Sequence, residues 1–201
     1  MKKILLLFVI SSIFNTVYSQ KKKPTQQISS SVLAKSDNLS VEIVKSNLCL
    51  LIANKGAKKD TIGLKNKVDN SLPKECKIQS FLAKNLKLYS ISWIENKLTE
   101  TKLKTEDATT VYTELCDIAS KTKLLSNAQT TTKIKEIHFL DTKQTVSETI
   151  QKVRNEGFVL SLTKEGDVIL KNKTQENKLT YNPTENKFVN ASISTQPKKK
   201  K

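Results

Sequence analysis

Glu106-Asp107-Ala108-Thr109-Thr110-Val111-Tyr112-Thr113-Glu114-Leu115-Cys116-Asp117-Ile118 is the stretch on which the fold class turns. Ala108, Val111, Leu115 and Ile118 recur at helical spacing, as one apolar stripe on a 3.6-residue period. Against that, the run Thr109 to Thr113 is rich in β-branched residues and favours a strand. Alternate residues do not sort into an apolar and a polar face, so the helical reading is preferred.

The flanking segments read more clearly. Upstream, Leu86 to Ile94 alternates as a strand, with Tyr89, Ile91 and Trp93 on one face and Leu86, Leu88 and Ile94 on the other. Lys97 to Lys104 is expected to pair back on it across a turn at Glu95-Asn96. Leu39 to Ile43 has the alternation of a half-buried strand, and Asn47 to Ala53 is continuously apolar, as a central strand is. A turn over 54–59 leads to a further strand at Thr61 to Leu64. Ser71-Leu72-Pro73 has the form of a helix start, with proline in the first turn and Ile78, Phe81 and Leu82 on the inner face.

Downstream, Ile134 to Leu140 reads as a strand. Thr145-Val146-Ser147-Glu148 has the pattern of a capping box opening a helix that turns Val146, Ile150 and Val153 inward and stops at Gly157. Two hairpins close the chain, Phe158 to Leu162 with Val168 to Leu170, and Lys178 to Tyr181 with Lys187 to Val189. The expected fold is therefore α+β, a mainly antiparallel β-sheet with two or three short helices in a single domain over residues 39–190.

The ends carry different information. Lys2 and Lys3 precede the apolar run Ile4 to Ile10, and Val17-Tyr18-Ser19 places small residues where a signal peptidase reads. Residues 1–19 thus read as a secretory signal peptide, cut between Ser19 and Gln20. Residues 20–38 read as a flexible leader and 191–201, ending in four lysines, as a basic disordered tail. No later apolar run approaches membrane-spanning length, so the mature chain is expected to lack a transmembrane segment. Export implies a periplasmic, outer-membrane-associated or extracellular location in a Gram-negative envelope.

The whole chain has 35 basic and 19 acidic residues, a net charge of +16. Removing Lys2 and Lys3 lowers that by two, to +14. Such a surface attracts anionic envelope polymers. Sequence-specific nucleic-acid binding is disfavoured, because Arg154 is the only arginine and bidentate forks are what read guanine. Three cysteines, Cys49, Cys76 and Cys116, allow one disulfide and one leftover thiol in an oxidising space, or three small core hydrophobes.

Catalytic constellations are weak. His138 is the sole histidine, so a zinc site and a Ser–His pair are disfavoured, and Cys116 with His138 is the remaining nucleophile–base pair. Acidic pairs, Glu106-Asp107, Glu114 with Asp117 and Glu165 with Asp167, are near neighbours without further context. With four glycines in the chain, no phosphate-cradling loop is formed and no cofactor is expected. Tyr89, Trp93 and Tyr112 are either core aromatics or, on an exposed face, a stacking platform for a ligand.

Leu88-Tyr89-Ser90-Ile91-Ser92 resembles the centre of a LysM peptidoglycan-binding repeat over those five residues, but lacks the preceding Gly-Asp and has different spacing after it. Asp60-Thr61-Ile62 is similar to an O-glycosylation acceptor used by some Gram-negative bacteria, which would make Thr61 the modified residue. The expectation is an exported, non-catalytic binding or assembly protein whose partner is an anionic envelope polymer or an envelope protein. The alternative is a small secreted hydrolase using unassigned carboxylates on such a polymer.

Overall fold

The computed structural model describes residues 32–54, 59–68 and 72–191, and within them the chain is all strand and turn. The signal segment with Ser19 and Gln20, the residues before Val32 and the lysine tail lie outside that range. Three antiparallel meanders follow one another. The N-terminal sheet runs in the order β1 (Val32–Ser36), β2 (Leu39–Val44), β3 (Asn47–Ala53), β4 (Lys59–Lys65). The central sheet is β5 (Lys74–Ala83), β6 (Leu86–Glu100), β7 (Lys104–Asp117), β8 (Thr122–Phe139), β9 (Ser147–Gly157). The C-terminal sheet is β10 (Val159–Leu162), β11 (Val168–Lys171), β12 (Glu176–Asn182), β13 (Lys187–Asn190).

The α+β expectation is overturned, since all three segments read as helices are strands. The Glu106 to Ile118 stretch lies largely in β7, where Tyr112 pairs Trp93 on one side and Ala128 on the other. Its β-branched run was the governing signal, and the helical stripe was a coincidence of spacing. The segment after Pro73 is β5, with Phe81 opposite Leu88; Ser71 itself lies outside the described residues. The capping box is replaced by a local loop in which the Thr145 amide and hydroxyl both donate to the Asp141 carboxylate. Gly157 does take a left-handed φ of 80°, but it ends β9, pressed against the Ala128 carbonyl. The turn expected at Glu95-Asn96 is also absent, because β6 runs straight through both residues to Glu100. The first strand, β1, falls in the stretch read as leader.

Two clusters join the sheets at one end of the central sheet. Side chains alternate across a strand, so β6 presents Tyr89, Ile91 and Trp93 to one face and Leu88 to the other. On the first face, Ile91, Trp93 and Cys116 pack with Leu39, Val41, Leu48, Leu50 and Ile62 of the N-terminal sheet. On the second, Leu88 and Ala83 meet Tyr181 of the C-terminal sheet, with Phe81, Leu124 and Phe188 around them. Polar ties reinforce this contact: the Tyr181 hydroxyl donates to Asn186, whose amide donates to Ser120 and Thr122. The central sheet is thus sandwiched at this end.

Its other end projects beyond the other two sheets. β8 alone is 18 residues long, about 60 Å at the usual rise per residue. Over the projecting part, long polar side chains take the place of a second layer. Lys104 reaches Glu106 at 2.8 Å and Glu136 at 3.2 Å, and Lys152 reaches Glu136 at 2.7 Å. Arg154 lies between Glu106 and Glu156. Beneath them Ile134 and Thr132 are buried, and the Thr132 hydroxyl has no hydrogen-bond partner among the described residues. An unsatisfied buried hydroxyl is costly, so Thr132→Val is expected to stabilise the fold by about 1 kcal/mol in urea unfolding.

Candidate functional site

Two places on the molecule have the makings of a site: a cleft beside the core, and the projecting end of the central sheet. The cleft, of about 390 Å³, opens between β4 and the β6–β8 face and is lined by Gly63, Lys65, Asn66, Tyr112, Glu114 and Lys123, with Trp93 at its floor. Trp93 and Tyr112 are opposite one another on adjacent strands, and their rings stack at 5.1 Å and 12°. Lys65 Nζ lies 5.0 Å from the Tyr112 ring centre and pairs with Glu95, which also accepts the Trp93 indole N–H at 2.9 Å. Glu114 accepts from the Ser126 hydroxyl and lies 3.8 Å from Lys123, whose ammonium donates to the Leu64 carbonyl at 3.3 Å.

Of the three aromatics singled out from sequence, Trp93 and Tyr112 come together as a stacked pair. Tyr89 lies on the same face, opposite Cys116, with Lys87 Nζ 5.4 Å from its ring centre. Trp93 is almost wholly buried, and the Tyr112 ring already carries the indole and an ammonium. The trio is a packed junction between sheets, with Tyr89 and Tyr112 only partly exposed.

Burial pushes the Glu114 carboxyl above its ordinary range, the direction a general acid needs. Its nearest acidic neighbour on that face is Glu95. The Glu114 rung, with Ile91, and the Glu95 rung, with Thr110, are separated by four residues, about 13 Å along the strands. That exceeds the roughly 5–10 Å between the paired acids of a glycosidase. Glu106 and Asp107, adjacent on a strand, point to opposite faces. The Asp117 carboxylate accepts from Ser120 and the Ala119 amide, and Asp167 pairs Lys178 at 2.8 Å.

The structure separates Cys116 from His138. Cys116 pairs Lys123, and His138 lies about 50 Å further along β8. Burial pushes the Cys116 thiol to about 12 and Cys76, beside Glu95, to about 11; the Cys49 thiol is raised as well. All three are free thiols, Cys76 and Cys116 in the main core and Cys49 buried on β3 between Glu42 and Gly63. Thr61 is exposed on β4, opposite Leu51, next to an Asp60 held by Asn54 and Lys121. No cluster of His, Cys, Asp and Glu suited to a metal ion occurs among the described residues.

The projecting end has a different character. Every residue of β9 is exposed, and in the sheet order β9 has β8 on one side only. Leu98, Ile137, Phe139 and Val153 share one face there and are exposed, Val153 by 59%. On the opposite face Glu136 gathers Lys152, His138 and Lys104, and their hydrogen bonds hold its carboxyl at about 2. A carboxyl depressed from 4.5 stabilises the fold above that pH and loses its contribution as pH falls toward 2. Backbone hydrogen exchange in the β8–β9 pair, corrected for intrinsic rates, is therefore expected to accelerate over that window. Glu136→Gln should diminish the acid-dependent step, leaving the part owed to Glu106 and Asp141, whose carboxyls are also lowered.

Sequence reasoning missed this surface, because β9 was read as an inward-facing helix. The one available signal was that Ser147 to Gly157 lacks a continuous apolar face of either period. No helix among the described residues is long and apolar enough to cross a membrane. No family model matches the chain, and no curated protein or solved structure is found similar to it.

Proposed function

We propose that this chain is an exported, non-catalytic assembly module of a Gram-negative envelope whose working part is the projecting end of the central sheet. Export is supported by the Lys2-Lys3 start, the apolar run to Ile10 and the small residues at Val17 and Ser19. The observation that carries the assembly reading is β9: eleven residues, all exposed, at an open sheet edge. Unpaired edge groups template another strand, and proteins that do not use such an edge normally blunt it.

Partner binding through β9 is tested by placing a photo-cross-linking residue at Gln151 in the exported chain, with Lys171 as control. A discrete cross-linked protein band from position 151 alone, unchanged by a high-salt wash, is expected. If position 151 yields none while the chain is held on envelope fractions by a contact that salt abolishes, the reading fails. The lysine-rich surface and an anionic polymer then take its place.

A further inference from the structure

We infer that the strand added at β9 is β9 of a second copy of this chain, paired antiparallel about a two-fold axis at Gln151. The inference rests on the reading of β9 as an assembly edge and names its partner. The two edges of the central sheet are built differently. β5 is interrupted by a register shift between Lys74 and Lys77, with Glu75 at a φ of 50°, and β1 lies against it. Such a bulge twists an edge away from further pairing. β9 has neither bulge nor proline: its ladder with β8 runs from Gly157 to Ser147 without a shift, and the charges it carries are of both signs, so a complementary strand can meet them.

Charge selects both the partner and the register. The whole chain carries +16, yet β9 is balanced, with Glu148 and Glu156 against Lys152 and Arg154. A two-fold axis perpendicular to the sheet keeps each face on its own side, so opposed residues must share a face. Centring on Gln151 sets Glu148 opposite Arg154 of the second copy twice over, Ile150 opposite Lys152, Thr149 opposite Val153, and Gln151 opposite itself. Centring on Lys152 would oppose two lysines and, twice, two glutamates. Centring on Ile150 avoids like charges but leaves fewer residues paired. Directly opposed charges contribute according to sign, so the Gln151 register is the longest one without a penalty. The result is a continuous ten-stranded sheet with the exposed Val153 and Ile137 of both copies on one side.

Sedimentation velocity of the purified chain over a range of concentrations tests this directly. The unaltered chain is expected to dimerise. Glu148→Lys and Arg154→Glu are each expected to weaken the dimer about tenfold, since each opposes like charges at two places. An equimolar mixture of the two variants restores the dimer, because both contacts become attractive again. A second readout does not depend on charge: Gln151→Cys should form a disulfide-linked dimer under mild oxidation much faster than Val153→Cys. A chain that stays monomeric, a dimer indifferent to both charge reversals, or equal cross-linking at 151 and 153 overturns the inference. A monomer whose photo-cross-linker at Gln151 still captures a different protein overturns self-pairing alone and leaves the assembly reading standing.

Discussion

Replacing Trp93 with alanine is expected to destabilise the fold by about 3–5 kcal/mol, a large share of the 5–15 kcal/mol typical of a whole domain. Trp93 is 1% exposed and sits in the junction between the central and N-terminal sheets. Its ring stacks on Tyr112, its body packs in the main core, and its N–H holds one oxygen of the nearly buried Glu95. Alanine would leave a cavity and take one hydrogen bond from a carboxylate that has little water around it. Trp93→Phe keeps most of the volume and should lose less, about 1–2 kcal/mol, chiefly for the missing donor. Circular dichroism in urea measures both, since Trp93 is the only tryptophan and its fluorescence disappears with it. Equal losses in the two variants would mean that Glu95, not packing, governs this junction.

Gly166→Ala should be nearly as severe, at about 3 kcal/mol or more, and should act at the other junction. Gly166 has a φ of 81°, which alone disfavours a side chain. A Cβ there would stand 2.0 Å from the Leu82 carbonyl oxygen and 2.6 Å from the Ala83 Cα, both backbone atoms of the β5–β6 hairpin. Neither can swing aside, so the β10–β11 turn must lift from the central sheet. The expected signature is local: limited proteolysis in the C-terminal sheet rises while the Trp93 environment stays native. A uniform loss across both ends would show that the three sheets unfold as one unit.

These two junctions also explain which elements could be recognised from composition and pattern. The hairpins at 158–170 and 178–189 were legible because one face of each is at least half-buried and the other more exposed, and Leu39 to Ile43 because its apolar residues all face the core while Ser40 and Glu42 take the other face. That asymmetry writes alternation into the chain. Asn47 to Ala53 was legible because it is interior to its sheet and buried along nearly its whole length. The same rule accounts for the failures. β9 and the outer half of β7 belong to a single layer wetted on both sides, so no face has to be apolar. The alternation that marks a strand was therefore never written, and chance spacings such as Ala108, Val111 and Leu115 looked helical. Thr145 and Glu148 matched a capping box, yet Asp141 claimed the threonine instead. The cleft was half visible: Trp93 and Tyr112 were singled out as aromatics and Glu114 as one of an acidic pair, but Lys65 and Lys123 come from segments 58 residues apart and meet only across strands.

Local pattern was enough to settle the strand-rich character and the scarcity of arginine, because these follow from residue types and short-range periodicity. Packing alone settled that the described residues are all-β, that a buried junction holds the aromatics and separates Cys116 from His138, and that an eleven-residue strand, β9, lies exposed at the far end. Those properties depend on which faces find a second layer, and that is set by contacts between segments distant along the chain.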